Sequence, residues 1–328
     1  MLARLDIAEK RKPQDGRIKI EQGGREVELR VSTMPVAFGE KVVIRILDTQ
    51  HLMQDLGSLG MESNELKRFE GFLGHTTGLI LVTGPTGSGK TTTLYSSLRY
   101  LASPEVNIMT IEDPIEMVYE PFNQVQVHSR IGLTFDAALR NALRQDPDII
   151  MVGEIRDKET AQMAVQSALT GHLVLSTLHT NDAPSAITRL LDLGVQPFLL
   201  ASTLVGIVAQ RLLRTICGEC KTQTIMTDDQ IAALDLKFPA KQKRHLPIRH
   251  GSGCPTCRYT GLHGRTAIFE VMPVDESIRR LINDASDSAE IMKTARADGM
   301  LTLKEVAIRK MAQGETTFDE VLRLVGAA

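Results

Sequence analysis

The first fifty residues alternate apolar and polar side chains, which is the period-two pattern of half-buried β-strands. The apolar members fall into three groups, namely Ile18 and Ile20, then Val27, Leu29 and Val31, then Val42, Ile44 and Ile46. Gly23-Gly24 separates the first two groups, so a β-hairpin is predicted there. The third group predicts one more strand.

The strand pattern ends at a pair of glycines, Gly57 and Gly60, and a helical pattern begins near Ser63. The opening of the chain is typical of the middle of a module, which suggests that it starts inside a domain. We predict a small mixed α/β N-terminal domain over residues 1–57 and a linker over 58–65.

Residues 66–328 carry short apolar runs separated by helical segments, the pattern of a mostly parallel α/β sheet. The runs are Leu79–Thr83, Ile108–Ile111, Ile149–Val152 and Leu173–Thr177. Helices are predicted over Asp157–Leu169, Asp182–Leu193 and Pro197–Leu213, and again over 275–328. The uncharged segment from Leu193 to Gln210 is too polar to span a membrane, so buried helix is predicted there.

Composition narrows the class of protein. The chain has 328 residues, a length that suits two domains and excludes a single small module. Its 38 basic and 40 acidic residues give a formal charge of −2, which argues against the basic surface of a nucleic-acid-binding protein. The N-terminus is charged and lacks the apolar core of a signal peptide, so a reducing cytoplasmic location is predicted.

A phosphate-binding motif follows the first apolar run. Gly84 to Thr91 fits G-x-x-x-x-G-K-[ST] and lies between a predicted strand and a predicted helix. Backbone N–H groups of such a loop bind phosphate oxygens, the lysine reaches the β- and γ-phosphates, and the threonine is a Mg²⁺ ligand. A plain glycine turn needs no Lys-Thr at this offset. We predict binding of ATP and Mg²⁺ through Gly84, Pro85, Thr86, Gly87, Ser88, Gly89, Lys90, Thr91 and Thr92.

Polar residues follow the other apolar runs, where open α/β sheets bind their ligands. Glu112 ends the second run and is predicted to be the general base. Glu154 follows the third run in the manner of a Walker B carboxylate and is predicted to hold Mg²⁺ or the attacking water. His172 and His179 flank the fourth run and would sense the γ-phosphate or polarise water, although each is as often an ordinary core or surface histidine.

Four cysteines form two C-x₂-C pairs, Cys217 with Cys220 and Cys254 with Cys257. Two such pairs supply the tetrahedral Cys₄ set that Zn²⁺ prefers, with no open position for catalysis. A redox role is disfavoured because C-x-x-C redox motifs occur singly, near a βαβ unit. A structural zinc module is therefore predicted over residues 215–259.

These motifs, in this order, resemble the secretion and pilus-assembly ATPase superfamily, the motors of type II secretion and type IV pili. The phosphate loop is followed by an aspartate box matching Thr110–Glu116, an atypical Walker B segment matching Val152–Asp157 and a histidine box spanning Thr170–Thr180. The segment Pro13–Arg17 and the strands after it look like the second N-terminal domain of the family, truncated at its start. The domain that docks the motor to its membrane platform is expected to be absent.

The resemblance implies a P-loop NTPase with a RecA-like core and a homohexameric motor that hydrolyses ATP to assemble a pilus or pseudopilus. It implies an inner-membrane platform protein as the partner, with peripheral attachment of a cytoplasmic protein through that partner. Neither direct membrane insertion nor nucleic-acid binding is expected. Tetracysteine modules mark the assembly and secretion branches of the family, so extension or secretion is favoured over retraction.

The resemblance also implies that arginines reach the nucleotide. Strand periodicity puts Arg30 and Arg45 on the face opposite the apolar residues, and the small domain would deliver them to the phosphates. Arg140 and Arg144 share a face of a predicted helix and would join Arg156 at a phosphate or at a subunit interface. Solvated surface charges would produce the same spacing.

Two other functions stay open at this point. A DNA-dependent P-loop motor would share the core, but aromatic residues make up 4% of the chain and tryptophan is absent, which leaves little surface for base stacking. A nucleotide-sensing scaffold would share every phosphate-binding feature and lack turnover. A phosphate-release assay separates the scaffold from the motor.

Overall fold

The N-terminal strands form an antiparallel sheet of their own. The computed structural model describes residues 2–22, 25–48, 52–236 and 246–326, so the predicted Gly23-Gly24 turn lies outside the described residues. The predicted strands are confirmed as β1 Gln14–Gln22, β2 Arg25–Val36 and β3 Gly39–Asp48, in the order β1-β2-β3. Within the described part of 2–48 the domain contributes strands and turns, and helices begin later in the chain.

The register of this sheet sorts its side chains into an apolar and a basic face. Arg30 lies opposite Arg17 on one neighbouring strand and Arg45 on the other, so the three arginines share one face. The apolar residues lie on the other face of the sheet. Val31 is buried, but Ile44 and Ile46 are 57% and 72% exposed, so the described residues leave the outer strand of this face uncovered.

The rest of the chain is a doubly wound α/β domain with eleven helices among the described residues. Its main sheet contains β4 Gly78–Thr83, β5 Ile108–Glu112, β6 Asn123–Gln126, β7 Ile149–Val152, β8 Leu173–Leu178, β9 Leu204–Ile216 and β12 Leu262–Pro273. The helices are α1 Ser63–Leu73, α2 Lys90–Leu101, α3 Phe135–Ala142, α4 Lys158–Leu169, α5 Pro184–Asp192, α6 Pro197–Thr203, α7 Asp228–Ala233, α8 Glu276–Asn283, α9 Ser288–Ala297, α10 Leu303–Ala312 and α11 Phe318–Gly326.

The strand order of the main sheet is β12-β9-β4-β8-β7-β5-β6, and every neighbouring pair is parallel except the edge pair of β12 and β9. Alternate residues of each central strand enter two different cores. Leu79 and Leu81 face the core that α4 and α5 cover, whereas Ile80 and Val82 face the core that α1 and α2 cover. Because the sheet is parallel, the carboxyl ends of β4, β5, β7 and β8 meet at one edge.

The predicted helix over Pro197–Leu213 is wrong in its second half. The helix α6 ends at Thr203, and the chain continues as β9, which lies between β4 and β12. The residues of β9 beside β4 are buried on both faces of the sheet, including Ile207, Val208 and Ala209. A strand covered on both faces has no apolar–polar alternation, so its apolar run is indistinguishable from that of a buried helix.

The cysteine-bearing segment interrupts the main sheet between β9 and β12. It contains a two-stranded antiparallel sheet formed by β10 Lys221–Ile225 and β11 Pro247–Gly251, which the sequence pattern did not predict. The C-terminal helices are confirmed from Asp275, which caps α8 by accepting from the backbone N–H groups of Ser277 and Ile278. No helix within the described ranges has the length and apolar character needed to cross a membrane.

Candidate nucleotide site and cysteine cluster

The phosphate loop connects β4 to α2, as predicted. Gly84 and Gly89 have φ angles of +149° and +91°, which side chains rarely allow. A Cβ atom on Gly84 would lie 2.4 Å from the carbonyl oxygen of Gln210 in β9, so the loop needs glycine for close approach as well. The helix α2 begins at Lys90, and its N-terminal N–H groups therefore face the loop.

Lys90 is folded back over the loop. Its Nζ donates to the carbonyl oxygens of Gly84 at 2.8 Å and Pro85 at 3.1 Å. Burial lowers the pKa of the Lys90 ammonium, the carboxylate of Glu154 opposes that shift, and the charge of Arg211 adds to it. Lys90 and Glu154 therefore interact electrostatically, although Lys90 begins the helix after β4 and Glu154 follows β7.

Glu154 follows β7 and meets the histidine that follows β8. His179 Nε2 lies 3.3 Å from Glu154 Oε2, and Arg156 pairs with the other carboxylate oxygen. Burial raises the pKa of Glu154, but Arg156 and His179 outweigh it and hold that pKa below its usual value. The result is an ionised, partly accessible carboxylate beside Lys90, able to hold a metal ion or a water molecule.

Glu112 lies at the same sheet edge, but the structure encloses it. The residue is 4% exposed, and its carboxylate accepts from Tyr95 Oη and Thr110 Oγ1, each at 2.7 Å, and from Gln124 Nε2 at 3.2 Å. Both oxygens are therefore occupied by protein donors. The general-base role of Glu112 stays a prediction, and in this arrangement its carboxylate is held by protein donors.

The small domain contacts the core through the aspartate box. Arg30 Nη2 lies 2.7 Å from Glu116 Oε2, and the same guanidinium donates to the carbonyl oxygen of Ile115. Arg45 is exposed on the adjacent strand, opposite Arg30 in register. The predicted face of both arginines is thus observed, while Arg30 engages a carboxylate of its own chain in this arrangement.

The structure separates two predicted residues, His172 and Arg144, from the phosphate loop. His172 precedes β8, and its carbonyl accepts from Gly78 at the start of β4, so it lies at the amino ends of the strands, opposite the loop. Arg144 follows α3 beside Gln145, whose carbonyl binds the side chain of Asn107 just before β5. Arg140 is exposed and pairs with Asp136. His172 comes before its strand in the sequence, so chain order alone puts it at the amino end, and the prediction missed this.

The four cysteines form one cluster. Their sulfur atoms lie within 4.8 Å of one another, with Sγ–Sγ distances of 3.7 Å for Cys217 and Cys254 and 3.8 Å for Cys220 and Cys257. A tetrahedral zinc site with Zn–S bonds of about 2.3 Å requires Sγ–Sγ distances of about 3.8 Å. A disulfide requires about 2.05 Å, so the spacing fits a metal site and not an oxidised pair.

Backbone groups support thiolate character at Cys257, one member of this cluster. The N–H groups of Cys254 and Gly261 each donate to Cys257 Sγ at 3.2 Å. Burial raises the pKa of the Cys257 thiol, but these donors and the neighbouring cysteines lower it to about 6. Zinc binds thiolate, so the donor set fits Zn²⁺ in chemistry as well as in spacing.

Sequence reasoning missed the strand that lines the loop. Gln210 of β9 accepts from Thr93 Oγ1 at 2.7 Å, and Arg211 lines a cavity of about 330 Å³ together with Pro85–Ser88. The signal was the polar pair Gln210 and Arg211 inside an apolar run, but the sequence pattern predicted a helix for that run. In a helix those residues would not have pointed to the loop.

These features define a P-loop nucleoside triphosphatase fold. The glycine loop ends in Lys-Thr and lies between a central parallel strand and a helix, and carboxylates lie at the ends of neighbouring strands. The family model described as Type II/IV secretion system protein matches residues 1–323. The chain therefore belongs to this family, which confirms the resemblance drawn from its motifs.

Two curated relatives illustrate the match. The type IV pilus assembly ATPase TfpB of Acinetobacter baylyi is 51% identical over 328 residues, covering 99% of this chain and 55% of that protein. The type II secretion system ATPase E of Vibrio cholerae is 49% identical over 324 residues, covering 99% of this chain and 63% of that protein. The chain thus spans 55% of the length of the first relative and 63% of the length of the second.

Solved structures agree on the fold. The crystal structure of the pilus retraction motor PilT with bound ADP has a TM-score of 0.67 at 27% identity, covering 96% of this chain and 78% of that one. The ATPase DotB of Legionella pneumophila has a TM-score of 0.68 at 23% identity, covering 97% of this chain and 78% of that one. The second match, at this identity, concerns the fold alone.

Proposed function

We propose that this chain is the ATP-hydrolysing part of a motor that drives assembly of a pilus or pseudopilus. The observation that carries the proposal is the cluster of Lys90, Glu154 and His179, which three different strand ends bring to the phosphate loop. Similar proteins are named as a type IV pilus assembly ATPase and a type II secretion ATPase, and these names support the same function. Near-neutral charge supports it over a nucleic-acid motor.

The roles of the loop residues follow from their chemistry. Gly84 to Thr92 would bind the phosphates through backbone N–H groups, and Lys90 would neutralise the β- and γ-phosphates. Thr91 would hold Mg²⁺, which neutralises developing charge on the phosphates when bound, and Glu154 would hold either that ion or the attacking water. His179, within hydrogen-bonding reach of Glu154, would orient that carboxylate and polarise the attacking water.

The base assignment moves from Glu112 to Glu154 in this proposal. Glu154 is ionised and partly accessible, whereas the oxygens of Glu112 are occupied by Tyr95, Thr110 and Gln124. Glu112 would instead fix the end of β5 and, through it, the aspartate box. This division of roles is the part of the proposal that mutation tests most directly.

Assembly into a homohexamer is the second part of the proposal. Arg30 and Arg45 would reach a nucleotide as subunits close, with Arg140, Arg144 and Arg156 at subunit contacts. The exposure of Arg45 and Arg140 supports roles toward a neighbouring subunit over roles within one chain. A guanidinium at the transferred phosphoryl group contributes a rate factor of about 10³ or more where it acts.

The cysteine cluster would bind one Zn²⁺ per chain. With four protein ligands the site is closed, so the metal would fix the segment between β9 and β12 and take no part in hydrolysis. The partner would be an inner-membrane platform protein, with the motor attached to the membrane from the cytoplasm through that partner. The cysteine set favours extension or secretion over retraction within the family.

Phosphate release by the purified chain tests the activity. We expect Mg²⁺-dependent release from ATP that Lys90→Ala abolishes, because the phosphates lose their loop cation. Nucleotide binding without release in the wild-type hexamer would identify a nucleotide-sensing scaffold instead. Release that depends on added DNA would identify a nucleic-acid motor.

A further inference from the structure

The strand β9 passes directly beside the phosphate loop. Ala209 pairs with Thr83, the last residue of β4, and the next residue, Gln210, limits the space around two loop glycines. A Cβ atom on Gly89 would lie 2.7 Å from Gln210 Nε2. Since adjacent strand residues point to opposite faces, Arg211 points away from Thr93 and α2, toward the segment that follows β8.

Arg211 stands between two cavities at this edge. One, of about 330 Å³, is lined by Pro85–Ser88 of the phosphate loop. The other, of about 590 Å³, is lined by His179 to Asp182. Arg211 borders both, so its guanidinium separates the loop from the residues after β8.

The guanidinium is held in place but incompletely bonded. Its Nη2 donates to Asn181 Oδ1 at 2.8 Å, and its buried Nε has no hydrogen-bond partner among the described residues. No carboxylate of the described chain lies within ion-pair distance of it. A buried donor left without a partner is unfavourable, so a ligand that accepts a hydrogen bond from Nε is favoured.

The surrounding charge favours an anion as that ligand. Burial lowers the pKa of Arg211, which is opposed by the carboxylate of Asp182, and Arg211 in turn lowers the pKa of Lys90. Two cations therefore repel each other across the loop. An oxyanion between them would relieve that repulsion, and the planar guanidinium suits phosphate oxygens.

We propose that Arg211 is a second phosphate-binding side chain of the nucleotide site, supplied by the same chain from β9, and that Asn181 is the residue that positions it. The proposal rests on nucleotide binding at the loop, as proposed above. It adds a cation on the side of the loop opposite α2 and gives β9 a direct contact with the substrate.

Calorimetric titration of the full chain with Mg²⁺–ADP and with Mg²⁺–tripolyphosphate tests this inference. We expect Arg211→Ala to weaken both ligands about tenfold or more, and Arg211→Lys to recover part of the loss, since charge remains while the planar fork is lost. Arg189→Ala is the matched control, because Arg189 borders the larger cavity without bordering the loop. It should bind both ligands as the wild type does.

Unchanged affinity of Arg211→Ala for both ligands would overturn the assignment. Weaker binding of ADP with unchanged binding of tripolyphosphate would overturn it too, because that result would indicate a contact with the base or the ribose. The wild type failing to bind either ligand would instead remove the proposed function. Asn181→Ala should weaken tripolyphosphate binding in the wild type and have no further effect in Arg211→Ala, a non-additivity that a merely structural role would not produce. If Arg211→Ala does not fold, Arg211→Lys and Asn181→Ala still decide the question, and wild-type affinity in both would overturn it.

Discussion

Two glutamates end neighbouring parallel strands of this protein and differ in what surrounds them. Glu154 is partly exposed and bonded to His179 and Arg156, while Glu112 is enclosed by Tyr95, Thr110 and Gln124. We expect Glu154→Gln to lower the ATP turnover number by about 10² or more, as loss of a base or water-positioning group does. ATP binding should persist. Phosphate release and nucleotide titration measure the two effects.

Glu112→Gln should act mainly on stability, because its amide nitrogen would face donors that the carboxylate now accepts from. A lower unfolding midpoint with a smaller loss of turnover than in Glu154→Gln is the expected result. Glu159→Gln, on the exposed first turn of α4, controls for the loss of a charge. A well-folded Glu112→Gln that binds ATP without hydrolysing it, beside an active Glu154→Gln, would return the base to Glu112.

Glu270 gives a prediction about pH. It is 1% exposed and accepts from the backbone N–H of Ala183 at 2.7 Å. Burial raises the pKa of Glu270 to about 7. The negative charges of Asp182 and Glu305 raise this pKa further, while the N–H groups of Ala183 and Leu303 oppose the shift. The folded state thus binds a proton more tightly than the unfolded state, so this carboxyl lowers the free energy of unfolding as pH rises from about 4.5 through 7.

Glu270→Gln stays uncharged, so it should lose less stability than the wild type between pH 5 and pH 8. A difference on the order of 3 kcal/mol corresponds to the shift in pKa. Denaturant unfolding of both proteins at the two pH values measures it. Parallel pH dependence in the two proteins would show that Glu270 ionises normally.

At the scale of elements, the prediction succeeded where local chemistry decides structure. The strand–loop–helix unit from β4 to α2 was predicted because glycine conformation and the Lys-Thr pair are local signals. The helix from Asp157 was predicted as well, and the Asp157 carboxylate accepts from the backbone N–H of Thr160. The strand β9 was not predicted, because its formation depends on pairing with β4 and β12 on either side. The short strands β6, β10 and β11 likewise depend on partners that are distant in sequence.

The cysteine cluster gives a prediction for an element. Elemental analysis should find one Zn²⁺ per chain, and chelation should expose the β10–β11 segment to proteolysis before ATP hydrolysis is lost, because a metal with four protein ligands would have a structural role. Cys254→Ser should reproduce the proteolysis. Readdition of Zn²⁺ after chelation is the control for damage by the chelator. Metal-free protein with disulfides by mass spectrometry would contradict the assignment.

At the scale of the molecule, the contact between Arg30 and Glu116 ties the small domain to the core. We expect Arg30→Ala and Arg45→Ala each to lower ATP turnover at least tenfold with a smaller effect on nucleotide affinity. Activity per chain should rise with protein concentration as subunits associate. Turnover measured across a dilution series, with light scattering for mass, tests both points.

Lys41→Ala, an exposed change on the same strand as Arg45, is the control for altered charge on the small sheet. Wild-type turnover in both arginine variants, or constant activity per chain in a protein shown to be monomeric, would remove the arginine mechanism.

The side of the sheet that carries Arg30 and Arg45 followed from strand periodicity alone. The pairing with Glu116, 86 residues away, required the fold.

The length of β9 has a mechanical consequence. The strand is anchored beside the phosphate loop at Ala209 and reaches Ile216, immediately before Cys217, a distance of about 23 Å at the rise of an extended strand. Ladder pairing with β12 from Gly206 to Ile216 stiffens it against bending. β9 is therefore a stiff connection between the phosphate loop at one end and the cysteine cluster at the other.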